Sequence, residues 1–176
     1  FGALSVVNNG NLVTKVYFPR EILPLASIGA ALFDFIMAAL VFAVLIFFYH
    51  IQIGLNILFS VVIVFLILLL TTGISFFLST ANVLFRDIKF VVPLLLQIWL
   101  YLTPVIYSTN QVPEKYRVFL KLNPLVPLIE GFRDVTIFNK GPNFVEMAIS
   151  FLVAFLIFTG GYLWFKNKEK IFADVM

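Results

Sequence analysis

Gln97, Tyr101, Pro104 and Ser108 follow one another at spacings of four, three and four in an otherwise apolar run, and Asp34 is the only acid well inside another. Both patterns put polar groups where hydrocarbon would reject them, because a bilayer core offers amides, hydroxyls and carboxylates no water. The stripe must therefore face a subunit contact or a pore. Trp99 sits roughly 200° around the helix from Gln97, towards lipid or a neighbouring helix. Asp34 shares its side with Ser27, Ala31 and Ala38, a close-packing face, so it serves either a helix-packing hydrogen bond or a polar pathway. A proton relay is disfavoured, since no second intramembrane acid or histidine is spaced to receive the proton. Thr71, Ser75 and Ser79 recur at i, i+4 and i+8 beside Gly73, the pattern of a helix–helix interface.

Chemistry beyond this is scarce. There is no cysteine and one histidine, which removes thiolate metal sites and most zinc or Ser-His-Asp arrangements. The chain has no GxxxxGK[ST] loop to cradle phosphates, no HExxH, no GxSxG and no DxD-type acidic pair. It is not an enzyme by itself, and it calls for no metal or cofactor of its own. Any energy must come from another subunit or a gradient. Twelve Lys+Arg against nine Asp+Glu leave a net charge of +3, too small a surplus for a nucleic-acid binder.

Such residues need elements to position them, and composition says which. Of the residues, 62% are hydrophobic and 12% charged, about half the charged share of a soluble domain. The expected fold is an all-α integral membrane protein, a single transmembrane domain over residues 1–176. A helix crossing ~30 Å of hydrocarbon needs about 20 mostly apolar residues, and windows 25–49, 55–78, 90–107 and 144–165 supply at least four spans. Residues 1–7 (FGALSVV) resemble the tail of an earlier apolar segment, so the chain is expected to be N-terminally truncated. Lys15 and Arg20 precede the first window, Arg86 and Lys89 separate the second from the third, and Lys166, Lys168 and Lys170 follow the fourth. Those seven cations place both this N-side and the tail 166–176 in the cytosol.

The external stretch 108–143 is not ordinary loop. Pro113 beside Glu114 marks a helix start, with Val112, Tyr116, Phe119 and Leu120 on one face and Asn123-Pro124 as the stop. A second helix follows from 125 to about 138, with Glu130, Arg133 and Asp134 opposite its apolar side. Both are too short to span. They form either a surface cap or a lid over a conduit, dipping into the outer leaflet or lying on it.

Four segments together carry a resemblance: NLVTKVYFPREILPL (11–25), LFRDIK (84–89), PLLLQIWLYLTPVIYS (93–108) and LNPLVPLIEGFRD (122–134). In combination they resemble the permease subunits of type-2 ABC exporters of polysaccharides, the family of O-antigen, capsule and teichoic acid exporters. The resemblance implies six spans in the intact chain and a homodimeric channel in the bacterial inner membrane. It also implies two copies of a separate ATP-binding subunit, which holds ATP and Mg, and a lipid-linked polysaccharide as substrate. Residues 8–21 would form the coupling segment, with Tyr17 and Phe18 plugging a cleft in the ATPase, Lys15 and Arg20 pairing with acids, and Pro19 and Glu21 shaping the turn. An interfacial helix on anionic lipid is the plainer alternative for this stretch. Arg86 and Asp87 would be a cytosolic gate or an interface anchor. Tyr101 and Tyr107 would contact passing sugar rings. The stretches 112–122 and 125–138 would be the external gate helices, with Glu130 and Arg133 either a solvated i,i+3 pair or a pair buried under the lid. An exporter of drugs or small lipids, a membrane-embedded glycosyltransferase or ligase, and a passive channel remain as alternatives.

Overall fold

The computed structural model describes residues 2–9, 18–85, 87–107 and 109–172, and among these the regular structure is entirely helical. A 3-10 turn at Gly2–Leu4 leads into α1 (Ser5–Asn8). There follow α2 (Ile22–Phe48), α3 (Leu58–Leu84), α4 (Ile88–Leu102), α5 (Glu114–Lys121), α6 (Leu125–Thr136) and α7 (Phe144–Lys168).

Each boundary has a local cause. The single histidine closes α2: His50 takes φ 53°, Ile51 N–H donates to Ile46 C=O at 3.1 Å, and His50 N–H donates to Phe47 C=O at 3.2 Å. That is a Schellman cap with histidine where glycine is usual. At the start of α7, the Asn143 side chain accepts from Val145 N–H and Glu146 N–H, satisfying two of the first-turn donors that no helix can pair internally.

Three helices are long and apolar enough to cross a membrane: Ile22–Phe48, Leu55–Leu84 (counting the 3-10 turn before α3) and Phe144–Ile171. The window 90–107 does not provide a fourth of that length. Its helix, α4, has 15 residues, about 22 Å at 1.5 Å per residue. It stops because Thr103 precedes Pro104 and is held extended, at ψ 125°. What remains of the window, Thr103 to Tyr107, is non-helical.

The bundle is centred on α3 and α7. Gly73 and Gly161 face each other at their crossing, where a Cβ on Gly73 would lie 2.6 Å from Phe158 Cα and one on Gly161 would strike the Gly73 carbonyl oxygen. Glycine is needed here because backbone meets backbone. Below the crossing Phe76, Phe165, Phe172, Val6 and Val83 form one buried cluster; above it Ile63, Leu66, Leu128 and Val135 form the other, with Phe132 and Met147 against it. The upper cluster draws α6 into the groove between α3 and α7. Within 125–138 the helix Leu125–Thr136 thus packs one face, with Leu128 and Val135, against Ile63 and Leu66, while Ile137 and Phe138 beyond it are exposed. Within the Thr71, Ser75, Ser79 row, Ser75 and Ser79 are buried while Thr71 is exposed. Ser75 backs onto the Gly2 turn, where an added Cβ would sit 2.5 Å from Ser75 Oγ.

Two polar ties define the ends of the molecule. Lys166 Nζ meets Glu21 Oε2 at 2.9 Å, joining the end of α7 to the base of α2. Asn56 Nδ2 donates to Asn139 C=O at 2.8 Å, joining the start of α3 to the loop after α6. Asn82, near the end of α3, donates to Ala3 C=O at the first of these ends.

Candidate functional site

The break in α4 is where the structure gathers its polar groups. Thr103 Oγ1 donates to Trp99 C=O at 2.8 Å, Asn123 Nδ2 donates to Thr103 Oγ1 at 2.9 Å, and Trp99 Nε1 donates to Asn123 Oδ1 at 3.3 Å. The same Asn123 oxygen accepts from Leu125 N–H at 3.1 Å, an Asx turn that starts α6 with Pro124 at its N-cap. One amide therefore joins the end of α4 to the beginning of α6. It fixes that joint at mid-depth, since α6 rises from here to the Asn139 end. We expect Asn123→Ala to cost about 1–3 kcal/mol by leaving the Trp99 indole N–H and the Leu125 backbone N–H without their acceptor. In a Trp164→Phe background the checking measurement is Trp99 emission, which should shift when its hydrogen bond is lost.

Beyond the joint, Arg133 holds the broken extension. Its guanidinium donates to the carbonyl oxygens of Pro104 and Val105, each at 3.1 Å, and of Tyr107 at 3.5 Å. Backbone that leaves the helix at membrane depth loses its internal partners, and such a segment persists only where other groups supply them. The planar fork of arginine carries five donors and does so from one side chain. The Glu130–Arg133 pair does not form: Arg133 points along α6 to residues 104–107. Tyr107 closes the arrangement by donating its hydroxyl to Tyr101 C=O at 2.8 Å.

The other stripe residues separate. Gln97 is exposed and Tyr101 is 65% exposed on the face of α4 turned away from the bundle, whereas Pro104 is buried. The i, i+4, i+7 geometry that would have aligned Pro104 ends with the helix at Leu102. Ser108 lies outside the described residues. Pro113 and Tyr116 are exposed at and just after the start of α5. Between α2, α3 and α4 lies an apolar cleft of about 640 Å³, with Lys89, Trp99 and Thr103 all contributed by α4 and its C-terminal end.

On α2 Asp34 is exposed, as are Ala31 and Ala38, and an added Cβ on Gly29 would meet nothing within 4 Å. Ser27 is turned inward, donating to Leu23 C=O at 3.1 Å. Ala31, Asp34, Ala38 and Gly29 are thus left uncovered among the described residues.

At the opposite end, Phe18 and Arg20 are half-buried and Pro19 exposed. Ile22 N–H donates to Pro19 C=O at 3.1 Å and Leu23 N–H to Arg20 C=O at 3.2 Å, so residues 18–21 make a tight elbow leading into α2. Glu21 is engaged by Lys166. Asp87 is exposed at the start of α4. Lys15, Tyr17 and Arg86 lie outside the described residues, as do all of residues 10–17 of the coupling segment. Among the described residues no three His, Asp or Glu side chains come together in a way that could hold a metal ion.

A broken apolar helix, a short re-entrant pair and a polar elbow at the far end are arranged along most of the chain, and the family described as ABC-2 type transporter matches residues 2–137. The chain belongs to the ABC-2 type transporter family. It is similar over 173 residues to the O-antigen export system permease protein RfbA of Klebsiella pneumoniae, at 27% identity covering 98% of this chain and 66% of the relative. It is also 27% identical over 175 residues to the protein of the same name from Myxococcus xanthus, covering 98% of this chain and 67% of that one. The chain therefore spans about two thirds of the length of these relatives. As an ABC-2 protein it is a membrane component of a transporter, and its resemblance to O-antigen export permeases runs from one end of the chain to the other.

Within this ABC-2 chain, sequence reasoning missed Thr103 and the role of Trp99. Both are ordinary residues in an apolar run, and what recruits them is Asn123 from 20 positions away. The available signal was the Asn-Pro dipeptide, which favours an Asx turn at a helix start. It marked the turn and said nothing of where the turn docks.

Proposed function

We propose that this chain is the channel-forming subunit of an ATP-driven exporter that moves a lipid-linked polysaccharide of the O-antigen type across the bacterial inner membrane. It acts as a homodimer with two copies of an ABC ATP-binding subunit, which bind ATP and Mg. The observation that carries the reading is the similarity along 98% of the chain to O-antigen export permeases, in a sequence with no phosphate-binding loop of its own. The elbow at residues 18–21 lies on the cytosolic side with the C-terminal end of α7, because the Glu21–Lys166 contact puts both on one face and Lys166, Lys168 and Lys170 mark that face as inside.

In this reading the ATPase grips Phe18 together with Lys15 and Tyr17, and pushes on the base of α2. Gln97 and Tyr101 on the open face of α4 line the path of the glycan. Sugar rings stack on an aromatic face weakly and with little regard for identity, which suits a polymer that must slide. The joint at Asn123 and the Arg133 clamp hold the re-entrant pair over the external end. Asp34 and the small residues of α2 form a contact with a neighbouring transmembrane segment, since an ionised carboxylate facing lipid costs several kcal/mol.

Phe18→Asp tests the coupling. In the reconstituted complex we expect ATP turnover to fall about ten-fold or more, as for loss of a buried aromatic anchor, while the permease dimer survives size-exclusion chromatography. Unchanged turnover would remove the elbow from the mechanism. Cytosolic accumulation of lipid-linked glycan in cells lacking the chain distinguishes a polysaccharide exporter from one for drugs or small lipids.

A further inference from the structure

We propose that Lys166 is a positioning residue that carries movement of the elbow into α7, and through α7 to the external pair; this rests on the coupling role given above to residues 18–21. The starting point is how little else holds the elbow. Only 6% of the most apolar stretch of α2 is buried, so a push at its base would swing α2 through lipid without moving the bundle. Among the described residues two contacts at the base of α2 oppose that, and the Phe42 and Phe132 rings meet farther along it. Lys166 Nζ bonds Glu21 Oε2 at 2.9 Å, and Leu23 packs against the cluster containing Phe165 and Phe172. The first lands on the last turn of α7, and the second on a cluster that the last turn of α7 shares with α1 and α3.

From there the connection is stiff. Gly73 and Gly161 lock α7 to α3 backbone to backbone, and Leu128 of α6 is buried against Ile63 and Leu66 of α3 with Met147 of α7 alongside. Close-packed interfaces move as units. The elbow, α7, α3 and α6 therefore form one continuous body, whereas α4 stands partly apart across the apolar cleft. Glu169 completes the tie: its carboxylate meets Lys166 at 3.1 Å, so the lysine is held from both sides and its ammonium cannot leave Glu21 for another acid without breaking two contacts. The pair is partly exposed, with side chains 43% and 25% accessible. Its contribution to bulk stability is accordingly small, and its importance is its location, joining the elbow at the base of α2 to the end of α7.

The test uses the whole transporter, permease with its ATP-binding partner in liposomes, scored for ATP turnover and for glycan moved. Lys166→Glu is expected to leave ATP turnover near wild type and to reduce transport per ATP about five-fold, within the range for changes along a coupled path. Combining it with Glu21→Lys should restore the ratio. A merely structural contact would lower turnover and transport together, or assembly itself, and the reversed pair would not rescue coupling specifically. Lys166→Glu with wild-type transport per ATP overturns the proposal, as does a reversed pair that fails to rescue.

A second readout does not depend on transport. The chain has no cysteine, so spin labels at introduced cysteines replacing Arg20 and Asn167 report the elbow-to-α7 distance directly. That distance should be narrow in the native protein, broad with Lys166→Glu and narrow again in the reversed pair; an unaltered distribution overturns the tie. If the native complex moves no glycan, the functional reading fails, and the distance measurement still decides the fate of the tie.

Discussion

Gly161→Ala is expected to lower the stability of the purified chain by about 3 kcal/mol, the upper end for overpacking, because the new methyl meets the Gly73 carbonyl oxygen rather than a side chain that can turn aside. A methyl group at Gly73 meets the backbone of Phe158 at 2.6 Å and should act similarly. The melting temperature in detergent should fall by roughly 10 °C. Gly29→Ala is the control. It sits in a helix of similar length with nothing within 4 Å of the added atom, and should hold or gain stability, since alanine is the better helix former by about 0.5–1 kcal/mol. Equal melting points for the Gly161 and Gly29 variants would mean that α3 and α7 do not cross at this point. The consequence reaches beyond stability, because the same crossing places Leu66 and Met147 to receive Leu128. A chain that cannot close α3 on α7 has no groove for α6.

Arg133→Met should have the second largest effect. The methionine stem fills much of the same space, but three carbonyl oxygens at the broken end of α4 lose their donor. Hydrogen bonds from a charged group to backbone are worth about 1.5–3 kcal/mol each, partly shared here among three acceptors. We expect a net loss of about 3 kcal/mol, expressed locally. Limited proteolysis should reveal it as new cleavage between residues 104 and 113, with the α3–α7 pair intact. Arg133→Lys should fall between, since an ammonium keeps a charged donor near these carbonyls but lacks the rigid planar fork that aims it. If Arg133→Met leaves the proteolysis pattern unaltered, the non-helical segment is held by something other than this side chain. Glu130→Gln should be close to neutral by the same assay, because Glu130 is not the partner of Arg133.

The helices outside the central joint were legible in the sequence because each depends on short-range rules. The 27 residues of α2 and of α3 follow from long, mostly apolar runs, broken by one charge in α2 (Asp34) and none in α3. The end of α2 at His50 and the start of α7 at Asn143 follow from capping residues placed beside those runs. Window 90–107 was misjudged in length for an equally local reason: hydropathy sums over Thr103 and Pro104 without registering that an X-Pro step takes the preceding residue out of the helix. Depth was harder. Residues 125–136 have an amphipathic pattern that suits an interface as well as a groove, and nothing within those twelve residues says that Ile63 and Leu66 leave room for them.

The candidate site divides in the same way. Tyr101 stood out in a polar stripe that lipid would reject, Asn123 as a helix stop, Arg133 on the polar side of a short helix, Tyr107 through the family resemblance, and Glu21 and Phe18 as part of a Pro-Arg-Glu turn before a span. Their partners did not stand out. Arg133 has an acid three residues away, the arrangement sequence favours, and still turns to carbonyls 26 to 29 positions earlier. Those carbonyls are orphaned by the end of α4, and a desolvated carbonyl has a stronger claim on a guanidinium than a carboxylate that reaches water.

By itself the sequence determined that this is a helical membrane protein of the ABC-2 kind and where its three long apolar helices lie, because those properties depend on transfer free energies and dihedral preferences of neighbours in the chain. The tertiary structure alone decided that α4 stops short, that α6 is held in the groove of α3 and α7, and that Glu21 answers to Lys166 across 145 positions. Such choices are made by competition among distant groups for the same buried donor, acceptor or volume, and that competition exists only once the helices are packed.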